Sequence, residues 1–552
     1  MSLQARPAYA IPEETIRVAR AIFPHGHSYL QLSDTLGSLF QDQEFAALFP
    51  VEGQPALSPA RLMVVLILQF AEGLSDRQAA DAVRARLDWK YLLGLELTDP
   101  GFDASVLSEF RTRLIENEWE QKVLDKLLAV FRERGLLKAR GQQRTDSTVV
   151  RGAVRDLNRL ELVGETMRHA LNSLAVVAPA WLRAHSQPDW VERYGARVQN
   201  YRLPTGQVQR ETYAEVVGTD GLALLQAVDG ASAPVWLRQV PAVQILRRVW
   251  IQNYTWRDNG TLRWRQTDEL PPAAVAIRSP YDDEVRFSQK RETTWVGYKV
   301  HVTETCDEEA PRLITHVETT LATTTDGQVT TPIHTALQAQ DLLPADHIVD
   351  TAYLDAELLV TSQQDYGANL VGPTRQDTGW QARQDGNGFT AQAFTLDWEN
   401  HRATCPAGKT SQFWAPGIDN HGNPMIQIKF AKRDCRACPV QLQCTRANPP
   451  RRTVTVRPEA QHKALQAARA REKTEAFAQQ YAKRAGIEGT LSQGVRCFDL
   501  RRTRYIGLAK THLQHILIAA AMNLMRVAHW LAEEPLAQAR PSAFVRLHQA
   551  AA

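Results

Sequence analysis

With 552 residues, 44% of them hydrophobic and 23% charged, the chain has a globular composition and too great a length for one core, so roughly two to four domains are expected. A net charge of +3 excludes a globally polycationic nucleic-acid binder, and any grip on a polyanion must come from local patches. Six cysteines in such a length exclude a secreted disulfide scaffold.

The opening residues, MSLQARPAYAIPEETIRVAR, carry no apolar run behind their basic residue, so no signal peptide is expected and the protein is placed in a reducing cytoplasm. Residues 1–135 read as helices joined by short turns. Ser58-Pro59 offers an N-cap with proline at the first helical position. The apolar run that follows, Leu62 to Ala71, is about half the length that spans a bilayer and predicts a buried helix. Ser75-Asp-Arg-Gln78 is a capping box for a helix over 76–87, and a third helix starts near Asp103 and carries Ser108, Arg111 and Arg113. Exposed serine and arginine there would suit DNA contact in a helix-turn-helix. An ordinary helical bundle fits the pattern equally.

Residues 136–150 lead from a turn-rich stretch into the β-favouring run Arg144-Thr-Asp146-Ser-Thr-Val-Val150. Asp146 is there either a strand residue with a task or a turn residue. Residues 151–284 form a mainly helical insertion, with helices predicted over 154–177, 222–229 and 242–256. Strand signals return over 285–377. The runs 292–303 and 312–320 make a hairpin, and a helix over 331–342, a strand at His347-Ile-Val-Asp350, a helix over 355–366 and a strand at 369–373 follow. That alternation predicts a parallel portion of a sheet, and Asp350 stands where a parallel strand would end.

Residues 378–456 are a second insertion with Cys405-Pro-Ala-Gly, Cys435-Arg-Ala-Cys438-Pro and Cys444. Four thiolates of this kind can hold a structural zinc in a ribbon-like unit, or they are reduced thiols without a metal. In residues 457–535 an Ala- and Gln-rich helix over 458–485 runs into Tyr481-Ala-Lys-Arg484-Ala-Gly-Ile-Glu488-Gly-Thr-Leu-Ser-Gln-Gly-Val-Arg496. A last helix is predicted over 511–531, and 536–552 read as a loose tail.

Tyr481, Arg484 and Glu488 fall at i, i+3 and i+7, on one face of a helix, amid a basic crowd completed by Arg496, Arg501, Arg502, Arg504 and Lys510. A carboxylate facing a polyanion repels it unless a divalent cation lies between them. That is the task of a metal-ligating glutamate in phosphoryl transfer, and it needs partner carboxylates. Asp146 and Asp350 have the matching surroundings.

On Arg144-Thr-Asp146-Ser-Thr, Ile348-Val-Asp350-Thr-Ala-Tyr353, and Tyr481, Arg484 and Glu488 with the continuation Glu-Gly-Thr-Leu-Ser-Gln-Gly, the chain resembles a DDE-type insertion-sequence transposase with an RNase H-like catalytic core. The resemblance extends over the helical front, Trp295-Val-Gly-Tyr-Lys-Val-His301, the cysteine-bearing insertion and Asn523-Leu-Met-Arg526. It implies an α/β fold, an RNase H-like mixed sheet flanked by helices, with an N-terminal helical domain that binds DNA and two insertions.

It further implies that Asp146, Asp350 and Glu488 hold two Mg2+ (or Mn2+) ions, with Tyr481, Arg484 and the neighbouring cations supporting the site or gripping phosphate. Water would cut a phosphodiester at the element's end, and the freed 3′-hydroxyl would attack target DNA. The implied partners are double-stranded DNA, as terminal inverted repeats and target, and a second copy of the chain in the synaptic complex, with no membrane; the implied location is the cytoplasm, at the nucleoid when bound to DNA. One departure stands out: many relatives carry lysine seven residues after the glutamate, where this chain has Val495 followed by Arg496. Two rivals share the residues: a nuclease of the same core without strand transfer, and a non-catalytic DNA-binding derivative.

Overall fold

The computed structural model describes residues 2–5, 9–384, 388–533 and 543–549. Its centre is a mixed six-stranded sheet made of β1 (Gln142–Arg151), β2 (Arg286–Lys290), β3 (Thr293–Thr305), β4 (Ile314–Leu321), β5 (Asp346–Ile348) and β6 (Asn369–Val371). The order is β2-β3-β1-β5-β6, with β4 also paired to β3. β3 runs antiparallel to β1, β2 and β4, whereas β5 lies parallel to both β1 and β6. The parallel strands are reached through helices Gly327–Ala339 and Ala356–Tyr366, as parallel pairing demands. The fold is α/β with an RNase H-like core.

The predicted hairpin and the strand-helix-strand-helix-strand run are all present. Arg286–Lys290 was not foreseen, because its polar sequence Arg-Phe-Ser-Gln-Lys carries little strand signal; pairing with β3 makes it a strand at the sheet's edge. β1 is buried along nearly all its length although it reads Gln-Gln-Arg-Thr-Asp-Ser-Thr-Val-Val-Arg. Each buried polar group there must find a partner. On one side Thr145 Oγ1 lies 2.6 Å from both Thr303 Oγ1 and His347 Nε2, and His347 Nδ1 lies 2.8 Å from His334 Nε2. Arg144, Asp146 and Thr148 alternate onto the other side, which faces the Gly486–Cys497 helix and Arg501.

The front helices share one hydrophobic cluster with the sheet and with the closing helix Leu508–Leu531, which is buried from Thr511 to Ala528 at almost every position. Helices Pro59–Ala71 and Asp76–Ala85 start at the expected Ser58 and Ser75 caps. The third front helix, Ser105–Glu116, corrects one expectation: its arginines are not available to DNA. Arg111 is buried in a two-pronged pair with Asp76 (2.9 and 2.6 Å), and Arg113 donates to the Leu48 carbonyl (2.7 Å) while lying over the Phe49 ring. Both arginines bind the bundle together; Ser108 stays exposed.

The first insertion has its own core, built on helices Arg159–Val177, Gln207–Asp229 and Pro241–Asn253. Gln207–Asp229 begins well before the predicted 222, because Gly218 and Gly221 hid it. A Cβ at Gly221 would sit 2.1 Å from the Trp250 ring and one at Gly218 would sit 2.5 Å from Tyr254, so these glycines admit aromatics against the helix rather than break it. The second insertion is a small β unit. A hairpin, Thr395–Asp397 with Arg402–Thr404, joins a three-stranded sheet, Phe413–Ile418, Pro424–Lys429 and Thr453–Val456, over a separate cluster. The long helix expected over 458–485 is divided into Glu459–Arg471, Glu475–Ala482 and a 3-10 turn, Lys483–Ala485, with Thr474 capping the second piece. Of the tail expected over 536–552, only a short helix, Ala543–Gln549, lies within the described residues.

Candidate active site

The parallel register of β1 and β5 pairs Gln142 with Asp346 and Arg144 with Ile348. Continued two residues past the end of β5, it sets Asp350 beside Asp146. Each aspartate has one oxygen held by a backbone N–H: Ser147 donates to Asp146 Oδ1 (2.7 Å) and Ala352 to Asp350 Oδ1 (2.8 Å). The other oxygen of each points to Arg484, whose Nη2 lies 2.7 Å from Asp146 Oδ2 and 3.9 Å from Asp350 Oδ2. Arg484 Nη1 lies 3.7 Å from Glu488 Oε1, one turn further on.

One guanidinium is thus common to three carboxylates contributed by a strand, a strand end and a helix. The acids differ in exposure: the Asp146 side chain is 8% exposed, Asp350 29% and Glu488 64%. Burial pushes the Asp146 carboxyl up to about 6, against the pull of Arg484 and the Ser147 amide, and the charges of Asp350 and Glu488 push the same way. A raised carboxyl beside two further acids in a partly open cleft marks a candidate functional site. Hard oxygen donors of this kind suit a divalent ion such as Mg2+. Among the described residues, however, no three His, Cys, Asp or Glu side chains already form a closed coordination group, for here the acids meet through Arg484.

Tyr481 completes the cluster by stacking on Phe477, centroids 5.6 Å apart and planes 6° from parallel, against Cys306, Ile348 and Val371 at the end of the parallel strands. Burial raises its hydroxyl pKa; Arg484 opposes this and the Asp350 and Asp146 charges add to it. The α-helix, 3-10 turn, α-helix sequence keeps Tyr481, Arg484 and Glu488 on one side despite the change of helix type.

The other predicted cations disperse. Arg501 stays with the strand, donating from Nε to Thr148 Oγ1 (2.7 Å), so Arg501, Arg484 and Arg144 line the same face of β1. Arg496, Arg502 and Lys510 are exposed. Arg504 turns to the front helices, where it donates to the Leu74 carbonyl (2.9 Å) and covers the Phe70 ring.

Sequence reasoning missed the network that holds the glutamate helix in place. Glu304 of β3, wholly buried, pairs with Arg144 (2.7 Å) and Arg526 (2.9 Å) and accepts from Thr490 Oγ1 (2.6 Å). Arg526 also reaches Thr490 (2.7 Å) and Gln493 (3.0 Å), and Arg144 donates to the Lys483 carbonyl. A Cβ on Gly486 would lie 2.1 Å from Arg144 Nη1, so this glycine lets the helix start directly over the guanidinium. The available signal was period two: Arg144 and Asp146 share a strand face, and Arg526 stood out as a charge in an apolar helix.

In the second insertion Cys405, Cys435, Cys438 and Cys444 line one cavity. Backbone amides donate to two of the sulfurs, Lys409 N to Cys405 Sγ (3.3 Å) and Arg452 N to Cys435 Sγ (3.4 Å). Burial pushes the Cys444 thiol up to about 11, the Arg452 charge opposing and the other three cysteines adding to the rise. Cys306 is buried against Ile348 and Cys497 is exposed, both apart from this cavity.

Two family models match the chain: "Transposase domain (DUF772)" over residues 17–113 and "Transposase DDE domain" over residues 404–528. The second spans Glu488, the cysteines and the closing helix, while Asp146 and Asp350 lie outside it and are joined to it by the fold. No curated protein and no solved structure matches the chain. No helix among the described residues is long and apolar enough to cross a membrane. A front segment and a glutamate-bearing segment that both match transposase domains, on an α/β core with an RNase H-like sheet, support a DDE-type insertion-sequence transposase.

Proposed function

We propose that the protein cuts DNA at the ends of an insertion sequence and joins the freed 3′ ends to target DNA. The observation that carries this reading is the convergence of Asp146, Asp350 and Glu488, from three distant segments, on the single Arg484 guanidinium. These carboxylates would hold two Mg2+ or Mn2+ ions, which when bound activate the attacking oxygen and neutralise the leaving one. The chain's own part is positioning. The backbone amides of Ser147 and Ala352 fix the aspartates, and the Glu304 network fixes the helix that presents Glu488. Tyr481, Arg484 and Arg501, with exposed Arg496, Arg502 and Lys510, supply donors for phosphates along the cleft. Arg504 contributes chiefly by tying this basic loop to the front helices.

Two copies of the chain would hold two element ends, each end a double-stranded terminal repeat. We assign a structural zinc to Cys405, Cys435, Cys438 and Cys444, supported by their common cavity and by the amides aimed at two sulfurs; the four sulfurs do not yet form a coordination group and would close on the ion, leaving it no open position for chemistry. Zinc content of the purified protein, compared with that of Cys435→Ser, tests the assignment, and equal content in both would refute it.

The activity is tested by incubating the protein and Mg2+ with labelled duplexes carrying the repeats that flank its gene and with a target plasmid. Joined product, absent with Asp350→Ala, is the expected result. Cutting without joining would favour the nuclease reading, and binding without either would favour a non-catalytic derivative.

A further inference from the structure

The cation at the centre of the three acids belongs to the protein itself. Arg484 carries one positive charge against three carboxylates, so the cluster as folded remains short of cation. The neighbouring cations are committed elsewhere: Lys483 to Gln142 (2.8 Å), Arg144 to Glu304 and Arg501 to Thr148. The grip of Arg484 is also incomplete. Only Asp146 lies within hydrogen-bonding distance, Asp350 and Glu488 stand at 3.9 and 3.7 Å, and the buried Nε has no hydrogen-bond partner. A guanidinium whose N–H donors had met their full complement of acceptors would be costly to move. This one holds a single strong contact, from a short 3-10 turn rather than from mid-helix.

Its location matters as well. Nη2 faces the oxygens of Asp146 and Asp350 that the backbone amides leave open, the same oxygens a divalent ion would need. Guanidinium and metal cannot both take them, because they would share the ligands and repel each other. An arginine that leaves a carboxylate finds an equivalent fork of oxygens in a phosphate, and DNA would bring one to the cleft.

We propose that Arg484 is a displaceable counter-cation: it neutralises Asp146, Asp350 and Glu488 in the resting protein, competes with divalent ions for them, and passes to a DNA phosphate when the site is loaded. The inference rests on the metal-binding reading of the three acids given above. Its test is made on the full-length protein without DNA, titrated with Mn2+ and followed by calorimetry and by the rise of the unfolding temperature. Arg484→Gln is expected to bind Mn2+ about tenfold more tightly than the unaltered protein and to gain a larger rise in unfolding temperature, on the order of effects seen when groups around metal ligands are changed. Arg484→Lys keeps the charge on a shorter, compact head and is expected to fall between the two, which preserves the test should the glutamine variant not fold.

Asp146→Asn and Glu488→Gln separate the two levels of argument. If both lose Mn2+ binding while Arg484→Gln and Arg484→Lys bind as the unaltered protein does or more weakly, the counter-cation role is overturned and the metal site stands. If both acid variants bind Mn2+ undiminished, the metal site falls and the counter-cation role falls with it.

Discussion

Two arginine–carboxylate clusters lie side by side on one face of β1, and they are opposites. Around Glu304 one carboxylate is answered by two arginines and a threonine hydroxyl, and is wholly buried. Two residues along the strand, around Asp146, three carboxylates share one arginine, and the group opens to solvent at Glu488. A buried charge cluster with every partner present is a rivet: it locks the glutamate helix and the closing helix to the sheet, and losing one member strands the others. A cluster with acids in excess leaves charge unanswered, and under the proposed function a bound cation would supply it. The difference therefore sorts two chemically similar groups into support and site.

That contrast can be broken most decisively by crossed substitutions. Asp146→Asn should lower DNA cutting by about three orders of magnitude, the scale on which a principal charge-handling group acts, without loss of stability to urea at pH 7, because the neutral amide avoids the cost of burying a charged carboxylate. A large stability loss without a selective loss of cutting would make Asp146 a structural residue. Glu304→Ala should do the reverse in its primary effect, costing about 3–5 kcal/mol by leaving Arg144 and Arg526 unpaired in the interior. Equilibrium denaturation measures it, and a loss under about 1 kcal/mol would show that the network is dispensable.

Acid sharpens the comparison further. Burial holds His301 and His334 near 4 and His515 near 3, against 6.5 for an open histidine. Below 6.5 the unfolded chain takes up protons that the folded one refuses, so their contribution to stability is present above that pH and drains away as the pH falls toward 4. Asp146 runs the other way. Its carboxyl is raised from 3.8 to about 6, so the cost of burying its charge disappears over that window as the pH falls. These rings, with His347 and His512 lowered by burial in the same way, outweigh the one aspartate and predict a lower urea midpoint at pH 5 than at pH 7, and Asp146→Asn should deepen that acid loss. An unchanged midpoint would contradict the burial of these rings. The smallest effect is expected at Arg504→Ala, about 1 kcal/mol for one hydrogen bond and ring contact to the front helices, with little change in the salt dependence of DNA binding. A drop of a full phosphate contact in that salt dependence would return Arg504 to the DNA-facing set.

Local patterns made much of this legible. Capping residues marked the helix starts at Ser58 and Ser75, β-branched runs marked β3 and β4, and i, i+3, i+7 spacing put Tyr481, Arg484 and Glu488 on one side. Where the reading missed, a distant partner had overruled the local signal. Gly218 and Gly221 look like helix breakers until Trp250 and Tyr254 fill the space they leave. Arg111 and Arg113 look like a DNA-reading pair until Asp76 and the Leu48 carbonyl claim them.

The sequence by itself determined the inventory: which residues could carry charge into a strand, which helix faces were apolar, and which three acids had matching neighbourhoods. Only the tertiary structure decided the pairings. The side-by-side register of β1 and β5, the crossing of the Gly486–Cys497 helix over Arg144, and the choice of Arg484 rather than Arg496 or Arg504 as the central cation all depend on contacts between segments hundreds of residues apart. Propensity and periodicity act over a few residues. The energy of a buried charge depends on what the whole fold sets within a few ångströms of it.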